Sequence, residues 1–213
     1  MRSKRFSLFI LASTLGLGLD AYATEQMQSV AKEDTGTRTY QLKSTDQSGS
    51  VAFTAMGNPA FISIEGKGKG TSGELSVKNN IAKGVFKFKL TTLDTGIDTR
   101  NEHMKNKYLK TDEYPEATLE ISNLELPKNY TPAAGLGGGK FVGKLTLKGV
   151  TRDITGTFES KGKNQGKEAI VAKFDIKLSD FGVEIPSFAG ITVANNVDIA
   201  VDTTLEDVSA EAR

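Results

Sequence analysis

From residue 40 onward apolar and polar residues alternate in short runs, broken by Gly, Asn, Pro and Asp. Period-two runs of this kind predict strands with one dry face and one wet face. Four runs carry the pattern cleanly. Over 82–91, Ala82, Gly84, Phe86, Phe88 and Leu90 share a face opposite Lys83, Lys87, Lys89 and Thr91, with Val85 on the wet side. Over 139–148, Phe141, Gly143, Leu145 and Leu147 oppose Lys140, Lys144, Thr146 and Lys148. Ile170, Ala172, Phe174, Ile176 and Leu178 oppose Lys173, Asp175, Lys177 and Ser179, and Val197, Ile199, Val201, Thr203 and Leu205 oppose Asp198, Asp202, Thr204 and Glu206. Weaker strands are predicted over 39–43, 49–56, 60–66, 73–78, 116–125 and 152–160, with room for some of these segments to be halves of one bent strand.

Strands wet on one side only point to antiparallel sheet, because parallel sheets are covered by helices on both faces. The stretch 148–152 (Lys-Gly-Val-Thr-Arg) predicts a tight hairpin, and Asn79-Asn80 and residues 134–139 predict looser turns. The dry faces can be buried in a two-sheet sandwich or in one sheet closed into a barrel, and the alternation is compatible with both. Residues 99–110 break the rhythm. There Thr99 can cap a helix, Glu102 follows three residues later as in a capping box, and Met104, Tyr108 and Leu109 fall near one face. A short helix is therefore predicted inside the 93–115 connection, a place from which it would cover the open end of a barrel or line a site.

The N-terminus has a different character. Met1-Arg2-Ser3-Lys4-Arg5 is positive, residues 6–19 form a mostly apolar stretch of 14, and Ala21-Tyr22-Ala23 has the small-x-small form of a cleavage site. The stretch is short for a bilayer span and has the build of a secretory signal. The chain is accordingly divided into a cleaved signal peptide (1–23), a flexible leader (24–38), an all-β domain (39–207) and a disordered tail (208–213), with a Gram-negative periplasm as destination. Cleavage would remove Arg2, Lys4, Arg5 and Asp20 and move the formal charge from +1 to −1.

Composition narrows the chemistry. Near-neutral charge nominates no nucleic-acid partner. With no cysteine there is no disulfide, thiolate metal site, cysteine nucleophile or lipoprotein anchor, and a single histidine excludes any multi-histidine metal centre. The run Gly68-Lys69-Gly70-Thr71-Ser72-Gly73 has dinucleotide-fingerprint spacing, but strand follows strand here, so the glycines are assigned to a turn or bulge. Asp180-Phe181-Gly182 lacks every other kinase element and is assigned to a strand end. No acid/base dyad, nucleophile or metal cluster stands out, so no enzymatic activity and no cofactor are expected.

Two groups of residues remain. Arg100 and His103 share a helical face, where they could meet an anionic or carbonyl group, or serve instead as a salt-bridge partner of Asp94 or Asp98 and a surface histidine. Phe86, Phe88, Phe141 and Phe174 fall on dry faces with Phe53 and Phe158 alongside, joined there by Leu90, Leu145 and Ile176. These side chains either fill a core or line a tunnel, since an eight-stranded barrel can do both. Gly84 and Gly143, on the same faces, leave space between the large rings and favour the tunnel.

Leu93-Asp94-Thr95-Gly96, Arg100-Asn101-Glu102-His103-Met104, Tyr114-Pro115-Glu116-Ala117-Thr118-Leu119 and the run 143–152 (Gly-Lys-Leu-Thr-Leu-Lys-Gly-Val-Thr-Arg), in that order and spacing, resemble the YceI-like family over about residues 40–206. The resemblance implies an extended antiparallel, eight-stranded, lipocalin-like barrel in an exported bacterial protein, with an apolar channel for polyisoprenoid chains such as prenyl diphosphates or isoprenoid quinones. It places Asp94, Arg100 and His103 at family motif positions near the channel. Many members carry a Val-x-His-x-Gly-type stretch in the early strands, where this chain has Ala55-Met56-Gly57-Asn58-Pro59 and no second histidine. That departure bears on the head group of a ligand and leaves the apolar channel untouched.

The expectation is a periplasmic protein that holds a long apolar lipid, its tail along Phe53, Phe86, Phe88, Leu90, Phe141, Leu145, Phe158, Phe174 and Ile176 and its head near Arg100, His103 and Asp94. Stable membrane insertion is not expected, and a homodimer is left open. The rival expectation is a structural or protein-interaction barrel with a packed interior.

Overall fold

In the computed structural model, residues 38–42, 45, 47, 49–58, 62–128, 130–188 and 191–209 are described. The expected signal peptide and nearly all of the expected leader lie outside them. The strands are β1 (Arg38–Leu42), β2 (Ser50–Asn58), β3 (Ser63–Lys69), β4 (Thr71–Lys78), β5 (Ile81–Lys89), β6 (Glu116–Glu125), β7 (Gly138–Leu147), β8 (Val150–Asn164), β9 (Lys167–Lys177), β10 (Ser187–Phe188) and β11 (Ile191–Asp207). Every pairing between them is antiparallel. The four clean runs lie in β5, β7, β9 and β11 with the predicted faces turned inward.

The sheet curls on itself because β11 is long enough to hold two partners along one edge. It pairs with β2 from Asn58↔Thr192 to Ser50↔Asp202, then with β1 at Gln41↔Glu206 and Tyr40↔Asp207. On their other side β2 pairs with β3, and β1 with β4. β3 and β4 are separated by the single residue Gly70, whose φ of +90° suits a glycine bend rather than a phosphate loop. β3/β4 therefore acts as one bent strand, and β1 and β2 follow one another along the same edge of β11 and are counted together. Counted so, the fold has nine strands rather than the expected eight, the ninth being the two-residue β10 folded back onto β11. Where β1 joins β4 and β11 the ring of pairings closes. At the other end β3 is the last strand and its free edge meets no further strand, only the connection after β5, through Lys67 N–H to Asp94 O (2.9 Å), Asp94 N–H to Lys67 O (2.8 Å), Lys69 N–H to Thr92 Oγ1 (3.1 Å) and Thr92 Oγ1–H to Lys69 O (2.6 Å), so among the described residues the sheet is a half-barrel there.

Turn chemistry fixes the registers. Lys148 and Gly149 make the predicted tight hairpin, both at positive φ. Asn79-Asn80 is tighter than expected: Lys78 pairs directly with Ile81, and the two asparagines hold φ of 52° and 60°, a left-handed conformation that Asn tolerates. Gln165-Gly166 repeats the device between β8 and β9.

The predicted helix is present but starts differently. A short α-helix, α1 (Asp98–Glu102), runs directly into a wider π-helical stretch (His103–Leu109) that ends at Lys110 with φ 52°. Ile97, not Thr99, occupies the cap, and no side chain caps the first turn. The loop before it supplies the order that a capping box would have supplied: Asp94 Oδ1 accepts from Gly96 N–H at 2.7 Å and turns the chain into α1 two residues early. The expected tail begins at Val208, yet Val208 N–H donates to Thr39 O and Ser209 Oγ accepts from Thr39 N–H, so these two residues still belong to the sheet edge.

Candidate functional site

Inside the curl lies a cavity of about 630 Å³. All nine side chains expected along a channel line it: Phe53, Phe86, Phe88, Leu90, Phe141, Leu145, Phe158, Phe174 and Ile176. Six of them are phenylalanines, and the cavity stays open because their rings are laid against the wall. Phe53 stands directly opposite Gly66, Phe86 opposite Gly73, Phe141 opposite Gly156 and Phe158 opposite Gly139. A Cβ on Gly66 would stand 2.5 Å from Phe53 Cε1, one on Gly73 2.8 Å from Phe86 Cδ1, and one on Gly156 2.6 Å from Phe141 Cε1. The rings thus occupy the volume that opposing side chains would take, which is how an aromatic covers a strand glycine. Gly156 is flanked on both sides, by Phe141 and Phe174, whose rings meet edge to face at 6.2 Å and 82°.

Gly84 and Gly143 do something other than the expected spacing of rings. Neither lines the cavity. A Cβ on Gly84 would meet Leu75 Cδ1 at 2.8 Å and one on Gly143 would meet Leu119 Cδ1 at 2.8 Å, so leucines of adjacent strands already fill those gaps.

The cavity is open at one end and shut at the other. At the half-barrel end its lining includes Ile97, 52% exposed, and the exposed residues Thr99, His103 and Ser187. At the closed end it is bounded by Leu124, Leu136 and Leu205, all buried. The 93–115 connection forms part of the mouth, with Met104, Tyr108 and Leu109 turned inward as their common face predicts.

Arg100 and His103 both reach the mouth lining. The salt bridge from Arg100 to Asp94 or Asp98 is not formed. Arg100 Nε instead donates to Thr95 Oγ1 (2.8 Å) and Nη2 to Thr95 O (2.7 Å). Thr95 is held in turn by Asn101 Oδ1, which accepts from Thr95 N–H and Oγ1–H, both at 2.8 Å. Asn101 Nδ2 then donates to Asp94 Oδ1 at 2.7 Å. Asp94 does not line the cavity; it stands at the outer end of this chain of contacts. The Gly96 N–H and then the Asn101 amide hold its carboxyl below the usual range, aided by Lys105 and Lys67 and opposed by slight desolvation. The guanidinium is left with a fixed plane at the mouth, a geometry suited to a planar or anionic acceptor.

Thr95 and the residues at the start of β11, Ile191 and Val193, were not legible as site residues, because nothing local to them marks a lining position. No group of three or more His, Asp or Glu side chains that could hold a metal occurs among the described residues.

The model of the YceI-like domain matches residues 40–205. The chain belongs to the YceI-like family. YceI-like proteins have a binding-protein fold. Among solved structures, Burkholderia cenocepacia BcnA is similar at 18% identity and TM-score 0.60, covering 76% of this chain and 99% of its own. A polyisoprenoid binding domain from Saccharophagus degradans, implicated in plant cell wall breakdown, is similar at 16% identity and TM-score 0.59, covering 79% of this chain and 98% of its own. These likenesses show the YceI-like fold. No curated protein matches the chain. No helix among the described residues is long and apolar enough to cross a membrane.

Proposed function

We propose that this YceI-like protein is a periplasmic carrier or store for a long apolar lipid of the polyisoprenoid class. The tail enters between the phenylalanine rings and the polar head stays at the mouth beside Arg100 and His103. The observation that carries this reading is an apolar cavity of about 630 Å³, open at one end and lined by all six rings. Its size falls within the range of small-molecule sites. The likeness to a polyisoprenoid binding domain supports the choice of lipid class.

The tail supplies most of the affinity. Burying ~500 Å² of apolar chain contributes roughly 12 kcal/mol, from which the costs of association and of ordering a flexible chain are subtracted. Micromolar binding follows without any head-group contact. Export through a signal peptide cleaved after Ala23 is part of the same proposal, and N-terminal sequencing of the mature protein checks it.

Native mass spectrometry of the protein isolated from its own host tests the reading. A prenyl-type adduct released on unfolding is expected. Protein that carries no adduct and fails to take up an added prenyl alcohol would return the rival reading, a barrel that serves as an interaction module.

A further inference from the structure

The row of β9 residues that faces the cavity, Ile170, Ala172, Phe174 and Ile176, has a carboxylate at its inner end. Glu168 is 0% exposed, on the inward side of a strand that is otherwise apolar there. A buried carboxylate destabilises a sheet unless its hydrogen bonds compensate, and one of its oxygens, Oε2, has no hydrogen-bond partner among the described residues. The other oxygen, Oε1, accepts from the backbone N–H of Leu136 at 2.5 Å. Leu136 is 2% exposed and forms part of the closed end of the cavity.

The segment around Leu136 is built to be held at that spot. Gly135 has φ +83°, and a Cβ there would stand 2.5 Å from Glu168 Oε1, so glycine is what lets the loop close onto the carboxylate. Ser160 N–H donates to Gly137 O at 2.5 Å, Lys163 Nζ donates to Pro132 O at 3.1 Å, and the Ala134 and Gly135 N–H groups donate to Thr131 O at 3.0 and 3.2 Å. Residues 131–137 are thereby tied down on both sides of Leu136. At the opposite end the lining includes the exposed residues Ile97, Thr99 and His103.

The geometry points to Leu136 as the ruler of ligand length, with Glu168 as the positioning residue that fixes it. A tail entering at the mouth runs inward until its end meets the Leu136 side chain; any further length stays outside in water. From Glu168 to Leu178 the strand spans roughly 30 Å, and less along the barrel axis because the strands tilt. Affinity should therefore rise with every added isoprene unit up to one length and then level off. The inference deepens the lipid-binding reading and rests on it.

The test is a series of linear prenyl alcohols of increasing length, their affinities compared by native mass spectrometry. The wild-type protein should show a plateau. Leu136→Ala should move the plateau to a longer member of the series, with about tenfold gain for the first length beyond the wild-type limit. Leu136→Trp should move it to a shorter one. Glu168→Gln keeps an acceptor for the Leu136 N–H and should leave the plateau in place, whereas Glu168→Leu should blur it. Coincident plateaus in wild type, Leu136→Ala and Leu136→Trp would overturn the ruler while leaving lipid binding intact. Failure of the wild-type protein to bind any member of the series would overturn lipid binding itself, and the ruler with it.

Discussion

A phenylalanine that faces a glycine across a strand pair becomes wall, and the same phenylalanine facing a larger residue would become filling. Gly66 offers the sharpest test of that distinction, because a methyl group there would collide with Phe53 Cε1 and Cζ at 2.5 and 2.6 Å, while the nearest backbone atom, Asp94 O, is 3.1 Å away. Gly66→Ala should push the Phe53 ring into the cavity and weaken prenyl-alcohol binding about tenfold, at a stability cost of roughly 1–3 kcal/mol. Titration with the alcohol, run beside thermal unfolding, separates the two effects. Phe86→Lys, which puts a charge on the apolar lining, should abolish binding. Arg100→Ala should lower affinity only for ligands with an anionic or carbonyl head and leave a bare prenyl alcohol nearly unaffected. Equal losses for charged and uncharged heads would remove Arg100 from the head-group role.

At the scale of elements, each end of the barrel is held beside a carboxyl whose titration is depressed, so both ends lose support in acid. The mouth connection depends on the Asp94 carboxylate, which its hydrogen bonds keep ionised below the ordinary carboxylate range. At the closed end Lys163 Nζ lies 2.8 Å from Asp207 Oδ2, in a pair whose side chains are 12% and 11% exposed. Burial opposes the charged form of Asp207, but the Lys163 contact and the hydrogen bonds from Ser209 outweigh it and bring the carboxyl from 3.8 to about 2. A depressed carboxyl stabilises the fold fully above its unfolded value and loses that contribution as pH falls through its folded one. Unfolding temperature should therefore stay level toward pH 5 and decline between about pH 4 and pH 2, with a share of roughly 1–2 kcal/mol missing in Asp207→Asn. A pH profile for Asp207→Asn that parallels the wild type throughout would contradict this assignment.

The same elements show what a sequence discloses. β5, β7, β9 and β11 were legible because alternation is local and each has one wet face. Closure was not, since Tyr40↔Asp207 joins residues at opposite ends of the domain and no local period encodes it. The phenylalanines were legible as inward-facing but not as lining or filling, because that depends on which residue lies across the ladder. Glu168 is not legible for a related reason: a charged residue where the β9 alternation starts resembles the end of the strand, and only the folded loop at Gly135 shows it facing inward. The head-group candidates lie close together in the sequence, yet their arrangement, with Thr95 between Arg100 and Asn101 and Asp94 outside the cavity, depends on the loop's own hydrogen bonds.

At the scale of the whole domain, the two ends of the barrel differ. The ring of strands closes at one end and is sealed there by Leu136; at the other end β3 stops short and a helix-bearing connection forms a mouth. A ligand with a long apolar tail and a compact polar head matches that shape, with the tail pointed toward β1 and the head toward α1. The most direct measurement is a crystal structure of the protein grown with a long prenyl alcohol. Continuous density for the chain from the mouth at Arg100 to Leu136, with Phe53, Phe86 and Phe141 still lying on their facing glycines, is the predicted result. Rings turned inward to fill the barrel, with no density between them, would contradict it.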